Sequence, residues 1–195
     1  PVISWADTSR SFTTTDMSLT IEEGMHIITH MKVIAQGYTP EQITVEAAGS
    51  VEHMLRALQS GKFTVSRATS THILDSRLAG TEGIEKEFRH PRREGTVTVR
   101  NTGQLEGGIY IYRDDVPSSL VHNVAGHIVH GIELVKLAQE QDLLAVNLLP
   151  QRLDFLGLSL ARAKEIAEER GISMNVDEES GERIIVSQEP GTTLD

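Results

Sequence analysis

Alternation of apolar and polar positions is the main signal along this chain, and it predicts a protein built mostly from β-strands. Such alternation marks a half-buried strand because successive side chains point to opposite faces of a sheet. Strands are predicted at residues 1–6, 11–19, 24–34, 95–100, 108–112 and 121–129. Residues 63–78 are ambiguous, and they are interpreted as a strand followed by a loop.

Two segments show instead the period of an amphipathic helix. The first begins at Ser50, a suitable N-cap, and ends at Gly61, a suitable C-terminal glycine. His53 occupies the position of the glutamate in a capping box, so that box is incomplete. The second helix is predicted at residues 132–141. The apolar stripes consist of Val51, Met54, Leu55 and Leu58 in the first helix and Leu134, Val135 and Leu137 in the second.

A change in composition near residues 146–153 separates a small C-terminal segment from the rest of the chain. In this segment Ser159 can cap a helix that ends at Gly171, and strands around residues 172–176 and 184–188 follow. The apolar face of this helix consists of Leu160, Ala163, Ile166 and Ala167. The segment therefore has the order helix, strand, turn, strand.

These elements predict two domains of a mainly β protein. The larger domain is placed at residues 1–148, and its many strands and two helices are typical of a barrel or a sandwich. The smaller domain is placed at residues 149–195 and is a helix–strand–strand unit of α/β type. A chain of this length can bury a sizeable core without disulfides or structural metals.

Composition narrows the range of functions. The 195 residues carry a formal net charge of −10, which argues against a general nucleic-acid binder, since such proteins need a basic footprint. The basic run Arg89–Arg93 (RHPRR) is interpreted as a solvated loop, although it could contact an anion. Cysteine is absent, and neither a membrane-length apolar run nor a signal peptide is visible. We expect a cytoplasmic protein, and its start at Pro1 suggests a piece of a longer chain.

Five motifs follow one another along the chain: SVEHML (50–55), TVSRAT (64–69), GTVTVRN (95–101), GGIYIY (107–112) and VHNVAGHIVHGIELV (121–135). Together they resemble the motifs of cyclophilins, the prolyl-isomerase family. The last three follow one another at close spacing, with one residue fewer before Gly107. The C-terminal segment resembles a PASTA repeat, and the combination resembles the archaeal family called methanogenesis marker protein three. The resemblance implies a cyclophilin-like β-barrel followed by a PASTA-like unit.

The resemblance also implies two catalytic positions. Arg67 matches the arginine that polarises the prolyl nitrogen in cyclophilins, although Arg77 is a rival for this position. His122 matches the groove histidine. The alternative for each is a surface arginine or a loop histidine without a catalytic role.

The same alignment places the substrate-binding positions at Ile109, Ile111 and Pro117. Ile109 stands where cyclophilins have a glutamine, Ile111 where they have the pocket phenylalanine, and Pro117 near the groove tryptophan. Alternation puts Tyr110 and Tyr112 on the opposite face of this strand. The implied groove is therefore apolar and lacks the polar and aromatic groups of an efficient isomerase.

No metal or cofactor is expected from the sequence. His26 and His30 are four residues apart, and His122, His127 and His130 cluster, but neither group has a recognised ligand pattern. A phosphate-binding glycine loop and a hydrolase G-x-S-x-G motif are both absent.

Two hypotheses about function remain. The first is a binding module that docks onto a protein or a proline-containing peptide; the resemblance implies an accessory role in the maturation or activation of methyl-coenzyme M reductase. The second is an active peptidyl-prolyl cis-trans isomerase that uses Arg67 and His122. Neither nucleic acid nor a membrane is an expected partner.

Overall fold

A computed structural model describes residues 18–20, 27–30, 39, 41–42, 44–87, 91–148, 155–171, 174–179 and 183–188. The contacts divide the chain into two compact units. Unit 1 comprises residues 1–22 and 49–149, and unit 2 comprises residues 23–48 and 150–195. The strand predicted at residues 1–6 and most of the strand predicted at 11–19 lie outside the described residues.

Thirteen strands and three helices are present in the described part of the chain. In chain order they are β1 (Ser18–Thr20), β2 (Ile27–His30), β3 (Thr44–Ala47), α1 (Gly49–Leu58), β4 (Lys62–Thr64), β5 (Arg67–Ala68), β6 (His72–Asp75), β7 (Thr96–Arg100), β8 (Ile109–Tyr112), β9 (His122–His130), α2 (Ile132–Leu137), β10 (Leu143–Ala145), β11 (Asn147–Leu148), α3 (Leu160–Glu169), β12 (Met174–Glu179) and β13 (Arg183–Gln188). The expected mainly β class is confirmed.

Unit 1 is built around a seven-stranded sheet with the strand order β11-β1-β9-β7-β8-β6-β5. Strand β8 pairs with β6 on one side and β7 on the other, both antiparallel. Its side chains alternate between the two faces of the sheet, where they join those of β6 and β7. One surface, the core face, carries Ile73, Val97, Val99, Ile109 and Ile111. The other surface, the aromatic face, carries His72, Thr98, Tyr110, Tyr112 and His122. Strands β4 and β10 form a separate antiparallel pair.

The described sheets are open, and their closure into a barrel is not shown. The segment interpreted as a strand and a loop at residues 63–78 instead forms three short strands, most of β4 together with β5 and β6. Within the described residues, no helix is long and apolar enough to cross a membrane.

Helix α1 forms where the sequence predicts it, but its N-terminus differs from the predicted cap. Gly61 donates its N–H to Leu58 O and has a φ of +77°, as a glycine after a helix should. The helix begins one residue earlier than expected, so Ser50 lies in its first turn and bonds the Glu87 carboxylate. His53 is buried, with Nδ1 2.6 Å from Glu82 Oε1 and Nε2 2.7 Å from Gly107 O. These contacts tie the helix to two loops of unit 1.

Helix α2 is shorter than predicted. It starts after Gly131, which has a φ of 91°, and stops at Leu137 because Ala138 is extended. The Arg113 guanidinium donates hydrogen bonds to the carbonyls of Val135 and Ala138, which satisfies backbone acceptors at the end of the helix.

Unit 2 contains a four-stranded sheet with the order β12-β13-β2-β3. Helix α3 has the cap predicted for it, since Ser159 Oγ accepts the Arg162 N–H at 3.1 Å. Leu160, Ala163 and Ala167 are buried, and Gly171 ends the helix with a φ of +70°. Strands β2 and β3 thus share a sheet with the C-terminal strands.

Candidate functional site

Four aromatic rings meet on the aromatic face of unit 1. Tyr110 and Tyr112 are stacked, with ring centroids 6.5 Å apart and planes 16° apart. The His122 ring stands edge-on to Tyr110 with a centroid distance of 4.6 Å. His72 lies 5.1 Å from Tyr110 and 5.7 Å from Tyr112 by the same measure. Alternation along β6 and β8 and the register of β7 with β9 bring these side chains together.

Arginines lie near the two tyrosine hydroxyls. Arg92 Nη1 donates to the Tyr112 hydroxyl at 2.8 Å, and its guanidinium lies 5.0 Å from the centre of the same ring. The charge of Arg100 acts on the Tyr110 hydroxyl. Burial raises the pKa of both hydroxyls, and the arginines oppose this shift only partly. Both tyrosines therefore remain neutral phenols at physiological pH.

His122 is a neutral imidazole on this face. Its Nδ1 lies 2.9 Å from Thr98 Oγ1 and 3.5 Å from the Tyr112 hydroxyl. Burial, followed by the charge of Arg92, lowers the pKa of His122 to about 3. The ring therefore carries no positive charge near neutral pH.

The structure places Arg67 on the same face as His122. Arg67 pairs with Leu74, which in turn pairs with Tyr110, so all three side chains lie on one side of the sheet. Arg67 is exposed, and its charge acts on His72 and Tyr110. Both residues expected to be catalytic thus belong to one surface.

Arg77, the rival arginine, has a different environment. Its guanidinium bonds the buried Asp75 carboxylate at 2.7 Å and donates to Lys62 O at 2.8 Å. Asp75 also accepts the Thr64 N–H at 3.0 Å. Arg77 therefore links two strands and neutralises a buried charge.

Ile109 and Ile111 lie on the core face, and the structure does not bring them together with His122. Ile109 is 1% exposed and Ile111 is 0% exposed. Tyr110 and Tyr112 accompany His122 instead. The sequence of β7 (TVTVR) indicates which face of β8 is the core face, because its two valines require apolar partners and its two threonines and arginine lie on the other face.

Pro117 lines an open surface depression of about 410 Å³ at the edge of the aromatic face, called the cavity below. The other lining residues are Pro91, Arg92, Arg93, Asp115 and Val116. Arg92 Nε donates to Pro117 O at 2.8 Å, and Val116 packs on the Tyr110 and Tyr112 cluster. The cavity and the aromatic rings are therefore joined through Arg92 and Val116. Among the described residues, no group of three histidine or carboxylate side chains is arranged to hold a metal ion.

The chain is similar over its length to UPF0288 proteins of methanogenic archaea. It is 38% identical over 196 residues to the protein of Methanosarcina barkeri, covering 100% of this chain and 36% of the relative. It is 31% identical over 201 residues to the protein of Methanothermobacter thermautotrophicus, again covering 100% and 36%. For the Methanopyrus kandleri protein the identity is 32% over 176 residues, covering 89% and 32%. The chain thus spans about a third of these relatives, and the expected resemblance to proteins of methanogenic archaea is confirmed.

No protein-family model matches the chain. A conserved Enterococcus faecalis protein of unknown function aligns with a TM-score of 0.41 and 19% identity, covering 57% of this chain and 30% of that one. An uncharacterised Bacillus cereus protein aligns with a TM-score of 0.43 and 12% identity, covering 67% and 33%. No fold assignment follows from either alignment.

Proposed function

We propose that this chain is a peptide-binding module within a methanogen protein, and that the peptide binds in the cavity beside the aromatic face. The observation that carries the proposal is the fixed position of Arg92. Its guanidinium is held by the Tyr112 hydroxyl and the Pro117 carbonyl, next to the apolar side chains of Val116 and Pro117. A fixed donor beside apolar surface is the usual composition of a ligand site.

The cavity size fits this function. A volume of about 410 Å³ lies in the range of pockets that hold small ligands or short peptide stretches. The Arg92 side chain loses little freedom on binding because it is already bonded, and preorganisation of this kind raises affinity. We interpret the aromatic face as the counterpart of a cyclophilin groove, with Tyr110 and Tyr112 beside His122.

Prolyl isomerisation is the second candidate function. It must lower a barrier of roughly 18–20 kcal/mol by directing a donor at the prolyl nitrogen or by holding a twisted amide. The observation that favours it is the shared face of Arg67 and His122. Against efficient turnover, His122 is only 6% exposed, so a substrate reaches little of its ring.

A pair of assays tests the two functions. Binding of proline-containing tetrapeptides is followed by chemical shifts of the labelled chain, and isomerisation of the same peptides by protease-coupled turnover. Binding with shifts at Val116 and its neighbours, weakened by Val116→Asp, supports the module. Turnover that falls in Arg67→Ala and His122→Ala, but not in Arg162→Ala, supports the isomerase. If no peptide in a broad panel binds the folded chain, the peptide-binding function is wrong.

The partner proposed for the module is an assembly of methyl-coenzyme M reductase. This part rests on the resemblance to methanogenesis marker protein three, and the UPF0288 relatives in methanogens support it. Binding of the chain to purified reductase subunits, measured by sedimentation, tests it. Loss of that binding in Val116→Asp would link the partner to the cavity, whereas no binding to any subunit would contradict the partner.

A further inference from the structure

The cavity has a local charge opposite to that of the whole chain. The formal net charge is −10, yet Arg92 and Arg93 line the cavity, and Arg67 and Arg100 stand on the adjoining aromatic face. Both cavity arginines come from the basic run at residues 89–93, and the proposed function so far uses only Arg92 of this run. This part of the surface therefore attracts anions on an otherwise acidic protein.

The carboxylates near the cavity offset these charges only in part. The lining holds two guanidinium groups, those of Arg92 and Arg93, against the single carboxylate of Asp115, whose Oδ1 accepts the Glu94 N–H at 2.8 Å. The Glu94 side chain is paired with Lys136. Burial lowers the pKa of His72, and the nearby charges that lower it further are guanidinium groups, foremost that of Arg92.

Arg92 and Arg93 also have N–H groups that remain able to donate hydrogen bonds to a ligand. Arg93 is exposed, and its side chain makes no hydrogen bond or ion pair within the described residues. Arg92 uses Nε and Nη1 in its bonds to Pro117 and Tyr112, so its other N–H groups remain available. Guanidinium groups bind carboxylates in charge-assisted pairs, often through two parallel bonds.

We propose that the cavity selects acidic peptide segments, with a carboxylate on Arg92 and Arg93 and a neighbouring apolar residue on Val116 and Pro117. This inference rests on the proposed peptide-binding function and specifies its ligand. A nucleic acid fits less well, because Tyr110 is 4% exposed and Tyr112 is 2% exposed. Their rings therefore give bases no open stacking surface of the kind that single-stranded nucleic acid requires.

The test compares two peptides that differ only in charge. Fluorescein-labelled Ala-Glu-Leu-Pro-Glu-Ala and its counterpart Ala-Gln-Leu-Pro-Gln-Ala are titrated with the 195-residue chain, and anisotropy gives Kd. The glutamine peptide is expected to bind about fivefold more weakly, the size of effect that exposed ion pairs give. Arg93→Gln is expected to weaken binding of the acidic peptide about threefold and to leave the Kd of the glutamine peptide unchanged. Arg162→Gln, an exposed arginine on α3, is the matched control and should change neither Kd.

A second measurement does not depend on any variant. Raising the ionic strength from about 0.05 to about 0.5 M should weaken binding of the acidic peptide and leave the Kd of the glutamine peptide unchanged, because salt screens exposed charges. Equal Kd values for the two peptides would overturn the acidic preference and leave peptide binding intact. Binding of neither peptide would overturn both. Displacement of the acidic peptide by a six-nucleotide single-stranded DNA at equal concentration would also overturn the inference, since the site would then be a general anion surface.

Discussion

The two faces of the seven-stranded sheet are almost equally buried, but they differ in chemistry. On the core face, Ile109 and Ile111 are at most 1% exposed and need no polar partner. On the aromatic face, Tyr110 and Tyr112 are at most 4% exposed, and the Tyr112 hydroxyl accepts a hydrogen bond from Arg92. Burial by itself therefore does not separate a core from a candidate site. The aromatic face differs in its aromatic rings, whose polar atoms lie within hydrogen-bond distance of Arg92 and Thr98.

The largest effect is expected from truncation on the core face. Ile111→Ala removes a side chain that is 0% exposed, and a destabilisation of about 2–5 kcal/mol is expected from lost burial and a new cavity. Urea unfolding measures it, with Ile111→Val as the matched variant at about 0.5–1.5 kcal/mol. A cost below that of Ile111→Val would contradict the assignment of Ile111 to the core and would reopen its role in a groove.

A smaller effect separates the two rival arginines. Arg77→Ala leaves the Asp75 carboxylate, which is 2% exposed, without its guanidinium, at an expected cost of about 1–3 kcal/mol. Arg67→Ala should stay within about 0.5 kcal/mol because the side chain is exposed. Unfolding midpoints of both variants in urea give the comparison. Equal destabilisation by the two substitutions would mean that Arg67 also has a structural role and would weaken its assignment to a binding surface.

The sequence predicts most elements of unit 1 because their signals are local. The stripe and terminal glycine of α1 and the alternation of β7, β8 and β9 give nearly the observed bounds. The assignment of faces on β8 is harder, because isoleucine and tyrosine both suit either side of a strand. It depends on which strand lies beside it, and only the register with Val97 and Val99 settles it.

The features that the sequence does not predict depend on pairing between strands that are distant in the chain. The strand expected at residues 24–34 is present as β2, but the sequence does not indicate that its partners are β3 and β13. Strand pairing depends on backbone hydrogen bonds between distant segments, and these leave little trace in one sequence. The contact between Arg92 and Tyr112 is not predicted from the sequence for the same reason, since the two residues are 20 positions apart.

The last effect concerns protonation on the aromatic face. The pKa of His122 is lowered to about 3 in the folded state, first by burial, against an ordinary value of 6.5. Between these two values the unfolded chain binds a proton that the folded chain does not, so folding stability falls as pH falls from about 6.5 towards 3. Above about 6.5 this loss is absent. The slope from one such group is at most about 1.4 kcal/mol per pH unit.

Urea unfolding between pH 7 and pH 4 measures this slope in the wild type and in His122→Gln. The variant should lose part of the pH dependence, because glutamine does not titrate and can still bond Thr98. His130→Gln replaces an exposed histidine of the same strand and serves as the matched control. His72 and His127, whose pKa values burial also lowers, should supply the slope that remains. An unchanged slope in His122→Gln would show that His122 titrates with the same pKa in the folded and unfolded states, and the lowering of its pKa by burial would then be wrong.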